Sequence, residues 1–150
     1  MGLEQDINQA QFRNEFQKAG INFIYTYNWF NERMKQFFEK EDITPQQFNI
    51  LRILRGAGKP ISTLQIRQRM LDKMSDTSRI VDRLIAKKLV EKSVCPNDKR
   101  LVDVSITDAG KILLEKIDAC NNDMDAIFDN LSESDAHTLN TLFDKLREGK

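Results

Sequence analysis

Histidine occurs once in this chain and cysteine twice, and each scarcity excludes a class of chemistry. His137 has no second histidine with which to share a metal and no nucleophile suited to a dyad, so it reads as a surface residue of the last helix. Cys95 and Cys120 are too few and too unlike in setting for a disulfide framework or a metal knot. The 6 glycines form no Gly-rich phosphate loop, and the carboxylates are scattered over helical faces. No apolar run approaches the roughly 20 residues that span a bilayer. The opening MGLEQDINQAQFRNEF is polar and acidic, without the basic start and apolar centre of a secretory signal. Asp6 stands where a myristoylation signal would carry Ser or Thr. These absences predict a cytoplasmic protein that is not an enzyme, holds no metal or cofactor and does not associate with a membrane.

Net charge is zero, from 23 basic and 23 acidic side chains, which taken whole argues against a nucleic-acid partner. The distribution reverses that reading. Residues 62–103 carry 10 Lys or Arg against 6 Asp or Glu, a net of +4, while residues 104–150 carry 5 against 10, a net of −5. A basic middle beside an acidic C-terminal part can present a local positive face on a neutral molecule; two solvated faces of an ordinary protein are the plainer alternative. With 150 residues the chain makes one ordinary domain, or a domain with helical extensions, and can bury a core without staples.

Phe12, Phe16, Ala19, Phe23, Tyr27, Phe30, Met34 and Phe37 recur three or four apart, a helical stripe that Gly20 is expected to bend or divide. In ITPQQFNILRILRGAG, Thr44 suits the N-cap and Pro45 the first helical position, where its missing N–H costs nothing. Phe48, Leu51 and Leu54 or Arg55 then define a short helix that ends at the turn of residues 56–58. Ser62 opens another, TLQIRQRM, with Leu64, Ile66 and Met70 apolar. After a tight Leu71-Asp72-Lys73 link, MSDTSRIVDRLIAKKLV places Thr77, Ile80, Val81, Leu84 and Ile85 on one side. Ser75, Asp76, Ser78, Arg79, Asp82 and Arg83 are left mostly on the other. Two short helices on a tight turn, the second polar and basic on its free face, are the pattern of a helix-turn-helix.

The stretch VEKSVCPNDKRLVDVSITDAG follows. Its β-branched runs at 90–94 and 101–106 flank a Pro, an Asn and an Asp, and read as a β-hairpin with a basic tip. Thr107 can cap a long helix in which Leu113, Ile117, Cys120, Met124, Ile127 or Phe128, and Leu131 keep three-four spacing for about five turns. Ser132 with Asp135 resembles a capping box for a last helix whose stripe is Ala136, Leu139, Phe143 and Leu146. The stripes at both ends exceed what one small domain can bury, so a homodimer built from the termini is expected. An N-terminal helix folded over its own core is the other reading.

In order and spacing these elements resemble the MarR family of bacterial transcriptional regulators. The matching residues are ITPQQFNILRIL and TSRIVDRLIAKKLVEKSVCPNDKRLVDVSITDAGKILL, and with the terminal helices the likeness covers nearly the whole chain. Its most specific parts are VDRL at 81–84, the D-x-R of Asp98 and Arg100, and the T-x-x-G of Thr107 and Gly110. The resemblance implies a mainly α fold with a small β-hairpin wing, a winged helix-turn-helix at 44–106 between N- and C-terminal dimerisation helices at 1–43 and 107–150. It implies a homodimer that binds double-stranded DNA at a pseudo-palindromic operator, a repressor relieved by a small-molecule effector. The helix beginning near Ser75 would enter the major groove, with Ser75, Ser78, Arg79 and Arg83 as its DNA-binding groups. Lys99 and Arg100 belong at a wing tip, because a narrow minor groove attracts inserted cations. Asp98 is expected to orient Arg100, or else to cap its own turn.

The sequence departs from the family at the link, where Leu71-Asp72-Lys73 lacks glycine and Met74 stands where a polar or basic residue is frequent. Asp76 also sets a negative charge on the expected DNA side. Both leave the docked geometry and the operator open. A second functional class, a winged-helix protein-interaction module that kept the fold and lost the DNA, is mildly favoured by Asp76 and the zero net charge. Family members commonly release DNA when a small aromatic or anionic effector binds between the dimerisation helices and the winged domain, or when a cysteine is oxidised. The peroxide-sensing branch carries its cysteine in the first helix, where this sequence has none. Cys95, near Lys92 and Lys99, could act as a thiol switch, although an unreactive surface cysteine is the simpler reading, and Cys120 reads as core. Tyr27, Phe30, Met34 and Phe48 are candidates to line an effector pocket at the junction of the first two helices, and core packing explains them equally well.

Overall fold

The fold comes from a computed structural model that describes residues 2–94, 96–98, 100 and 102–149. Cys95 and Lys99, and Leu101 at the start of the second hairpin run, lie outside the described residues. Along the chain run α1 (Leu3–Asp6), α2 (Glu15–Glu39), α3 (Pro45–Ala57), β1 (Ile61–Ser62), α4 (Thr63–Arg69), α5 (Thr77–Ala86), β2 (Val90–Val94), β3 (Val102–Ile106), α6 (Asp108–Asp118), α7 (Asn121–Asp125), a 3₁₀ turn (Ala126–Phe128) and α8 (Glu133–Arg147). The chain divides into two compact units, one up to Leu114 and one from Glu115 onward.

In the first unit the starts of α3 and α4 are closed by the side chains the sequence places there. Thr44 Oγ1 accepts from Gln47 N at 3.1 Å while Gln47 Oε1 accepts from Thr44 N at 3.1 Å, with Pro45 at the first turn of α3. Ser62 and Gln65 repeat the box on α4, at 3.1 and 2.9 Å. The helix α3 stops at Gly58, whose φ of 66° is the left-handed conformation that glycine adopts without strain. Its inner face, Ile50, Leu51, Ile53 and Leu54, meets Ile61, Ile66, Met70, Val81, Leu84, Val90, Val104 and Leu114 in one buried core. Every element from α3 to α6 contributes a residue to that core.

The hairpin pairs β2 with β3 from Val90 opposite Ile106 to Val94 opposite Val102, and β1 adds to the other edge of β3, with Ile61 opposite Val104. The order β1-β3-β2 therefore makes a three-stranded antiparallel sheet. Two residues are too few to show an alternating pattern, so β1 was invisible to periodicity; its signal is the burial of Ile61.

The junction that sets the wing begins at the end of α5. Leu89 N donates to Leu84 O at 3.0 Å and Lys88 N to Ile85 O at 2.9 Å, a Schellman closure in which Lys88, at φ 62°, takes the place usual for glycine. Thr107 then donates twice to that turn, from its N to Leu89 O at 3.1 Å and from its Oγ1 to Lys88 O at 2.8 Å. Its hydroxyl also accepts from Gly110 N at 3.1 Å, capping α6. A Cβ at Gly110 would lie 2.6 Å from Ile106 Cγ1 and closer still to the Leu89 carbonyl oxygen. The T-x-x-G spacing is thus a packing requirement.

Three expectations are corrected. Gly20 does not divide the first stripe: α2 runs unbroken over 25 residues, started by Asn14, and Phe12 lies before it. The five-turn helix after Thr107 is instead α6, α7 and a 3₁₀ turn. Cys120 N donates to Ile117 O at 2.8 Å, a tightened end, and Asn121, Asn122 and Asp123 follow, whose side chains compete with the helical backbone. Cys120, expected in the core, is consequently half-exposed at this break. In the second unit Ser132 and Asp135 form the expected capping box at 3.0 Å, while no residue of α8 is buried.

The same substitution should act oppositely at two glycines. Gly110→Ala is expected to cost about 1–3 kcal/mol through overpacking, and Gly20→Ala, where a Cβ meets nothing within 4 Å, to add about 0.5–1 kcal/mol. Urea midpoints of the two variants against the parent chain check this, and a Gly110→Ala protein as stable as the parent would refute the junction described.

Candidate nucleic-acid interface

The helix α5 is oriented by what it buries. Thr77, Val81 and Leu84 are buried, so Ser78, Arg79 and Arg83, which fall on the opposite face, are exposed. The helix starts two residues later than the sequence suggested, at Thr77. Asp76 is its N-cap, and Asp76 Oδ1 accepts from Arg79 N at 3.2 Å. The acid that looked misplaced beside DNA is therefore engaged in closing the helix. Ser75 sits in the link, half-buried, and its N donates to Asp72 O at 3.2 Å. Asp72 also takes the part of the missing glycine: its Oδ1 accepts from Met74 N at 2.9 Å, an Asx turn that folds the link without a left-handed residue. The Thr77 hydroxyl is buried with no hydrogen-bond partner among the described residues.

At the wing, Arg100 Nε donates to Asp98 Oδ1 at 3.1 Å and its terminal Nη2 to Oδ2 at 3.1 Å, while Arg100 N also donates to Oδ1 at 3.0 Å. Asp98 thus both shapes its own turn and grips the guanidinium as a two-pronged fork. The Arg100 side chain holds the Asp98 carboxyl below its ordinary value of 3.8, with the backbone bond second and desolvation opposing. Further back, Lys92 of β2 reaches Asp82 of α5 at 2.8 Å, a pair that ties the wing to the helix but is too exposed to contribute much stability. Lys87, just past α5, donates to Asp42 O and to Gln47 Oε1 at 3.2 Å, fastening that end to the start of α3. The sequence pattern gave no sign of Lys87 or Lys92 in these roles, because both partners are distant in sequence or on another element.

The four candidate effector-pocket residues do not come together. Tyr27 lines an open cleft of about 320 Å³ with Asn31, Gln46, Asn49, Leu71 and Asp72. Phe48 instead stacks on Phe38, ring centroids 4.5 Å apart, and packs against the core. Phe30 and Met34 are half-buried on α2 and do not line the cleft. The cleft's other walls are the first turn of α3 and the link of the helix-turn-helix, which the stripe on α2 alone could not reveal. His137 is exposed on α8, and among the described residues no three His, Cys, Asp or Glu side chains are grouped to hold a metal. No helix of the described residues is long and apolar enough to cross a membrane.

Two helices joined by an Asx-turned link, the second carrying a basic outer face, and a three-stranded sheet ending in an arginine fork define a winged helix-turn-helix. The MarR family model matches residues 41–101. The chain is 33% identical over 84 residues to the transcriptional repressor MdtR of Bacillus subtilis, a match covering 56% of this chain and 54% of that one. It is 32% identical over 94 residues to the multiple antibiotic resistance protein MarR of Salmonella typhimurium, covering 62% and 65%. The chain thus spans between about half and two thirds of these curated relatives. A structure of a cysteine-to-serine mutant of MarR from Escherichia coli complexed with operator DNA superposes with a TM-score of 0.82 at 26% identity, over 92% of this chain and 99% of that one. The chain is thus similar to the MarR family over residues 41–101, and in fold to the operator-bound MarR over 92% of its length.

Two measurements check the geometry. Because its folded value is depressed, the Asp98 carboxylate should keep its pairing through neutral and mildly acid pH and lose it only as pH falls below 3.8; a carboxyl ¹³C titration with a midpoint at or above 3.8 would show that no fork forms. Replacing the cap with Asp76→Ala should destabilise α5 by about 0.5–2 kcal/mol, and Asp76→Ser should restore most of that. Equal stability of the alanine and serine proteins in urea would remove the capping role.

Proposed function

We propose that this chain is a sequence-specific DNA-binding transcriptional regulator, a cytoplasmic homodimer without enzymatic activity that represses and is released from DNA by a small aromatic or anionic effector. The observation that carries the reading is the exposed face of α5, with Ser78, Arg79 and Arg83 turned outward by the buried Thr77, Val81 and Leu84, in a fold shared along nearly its whole length with an operator-bound relative. In this reading α5 lies in the major groove, with Ser75 at its head, and the wing residues Lys99 and Arg100 enter the flanking minor groove, where narrowness concentrates negative potential. Asp98 holds the Arg100 guanidinium ready, so that less side-chain freedom is lost on binding.

The regions 1–43 and 107–150 serve dimerisation. On α2, Phe16, Phe23, Ile24 and Tyr27 are exposed, and on α8 so are Leu139, Leu142 and Leu146. A second copy is the partner that covers them. A two-fold pair presents two α5 helices to the two halves of a pseudo-palindromic operator. The cleft beside Tyr27 is the effector's place: it borders the link directly through Leu71 and Asp72.

The double change Lys99→Ala with Arg100→Ala should weaken operator binding and make the dependence of log affinity on log salt shallower by about two, one for each lost cation. The sedimentation coefficient of the dimer should not change. Fluorescence anisotropy on an operator duplex at two salt concentrations reads the first effect; undiminished binding would remove the wing from the interface. If the unaltered chain bound no duplex at any salt, the protein-interaction module would take its place.

A further inference from the structure

Two large apolar side chains face water at the entrance to the helix-turn-helix. Leu64 on α4 is 63% exposed and Met74 in the link is 91% exposed. Both line one groove of about 410 Å³, together with Thr63, Arg67, Ser75 and Ser78. The same segments supply Ile66, Met70, Thr77 and Val81 to the interior, so neither Leu64 nor Met74 is a core residue left out for want of room. The backbone that carries each is held. Leu64 lies in the first turn of α4, capped by Ser62, and Met74 N is held by Asp72 Oδ1 at 2.9 Å.

Single exposed apolar residues need no explanation. A pair lining one groove beside Arg67, Ser75 and Ser78 does need one. Asp76 is the acid in that lining, and its Oδ1 is occupied with the cap of α5. The groove therefore sets two apolar side chains among hydroxyls and one cation. A duplex matches this: phosphates outside, base edges within, and one strongly apolar group among the base edges of the major groove, the C5-methyl of thymine.

We propose that Leu64 and Met74 read thymine methyl groups in the major groove. The inference rests on the DNA-binding reading above and names a specificity that reading does not contain. Ser75 and Ser78 hydrogen-bond to bases without strong preference, whereas apolar contact discriminates thymine from cytosine and uracil at the same step. Each methyl should be worth about fourfold in affinity, the value of one methylene removed from water.

The test uses the full chain and duplexes selected by binding from a randomised pool. In a selected duplex each thymine is replaced in turn by deoxyuridine, which removes only the methyl group, and affinity is read by anisotropy at one fixed salt. For the unaltered protein, one or two replacements in each half-site should weaken binding about fourfold. Met74→Ala and Leu64→Ala should each lose sensitivity at one of those positions while remaining sensitive at the other. Met74→Gln, which keeps the length and adds polarity, should behave as Met74→Ala and guards against an effect of lost volume. If a duplex is selected but every replacement is tolerated within twofold, or the variants keep the parent's sensitivities, the methyl reading is overturned and DNA binding stands. If no duplex is selected, the DNA-binding reading itself fails and takes this one with it.

Discussion

The carbonyl oxygen of Leu89 is the point on which the winged unit turns. It accepts from Thr107 N, and it is the backbone atom that forbids a side chain at Gly110. The end of α5, the end of β3 and the start of α6 therefore converge within one hydrogen-bonded turn. Remove the close approach and three things move together: the exit of α5, the angle at which the hairpin leaves, and the first turn of α6. Lys88 adopts a left-handed conformation that costs an ordinary residue roughly 1–2 kcal/mol, which the Schellman bonds and the two donations from Thr107 offset. In the DNA-binding reading proposed above, the helix and the wing serve one duplex only if their separation is fixed, and this turn fixes it.

Charge on the unit is arranged by pairing more than by composition. Four of the six acids in residues 62–103 have a local task. Asp72 turns the link, Asp76 closes α5, Asp82 holds Lys92 and Asp98 holds Arg100. The net positive charge of residues 62–103 is consequently displayed by arginines whose neighbouring carboxylates are already engaged. This is why a neutral chain can still present a polyanion with a favourable face.

Much of this was legible in the residues. The caps at Thr44, Ser62 and Ser132 are local chemistry, complete within four residues, and the hairpin and the outward face of α5 follow from short periods. What escaped the sequence depends on contacts at a distance. The strand β1 exists because Ile61 meets Val104, more than forty residues along. The link's lack of glycine looked like a defect until Asp72 was seen to fold it. Asp76 looked like an electrostatic fault until its carboxylate was seen on Arg79 N. The stripe from Leu113 to Leu131 kept helical spacing through residues that do not sustain a helix, because spacing records which face is apolar and says nothing about whether the backbone continues. Tyr27 and Phe48, each on the helical pattern of its own segment, have different surroundings: Phe48 is stacked on Phe38 against the core and Tyr27 lies on an open cleft.

The long helix α2 leaves its apolar face largely uncovered, with Phe16 at 86% exposure. In the homodimer proposed above, covering that face makes folding and pairing one equilibrium, and mass action then governs both. Each tenfold rise in protein concentration adds about 1.4 kcal/mol per mole of dimer. The copy number in the cell thus enters the stability of the fold itself: a dilute population loses its second reading helix and the cover over its aromatic face in the same step.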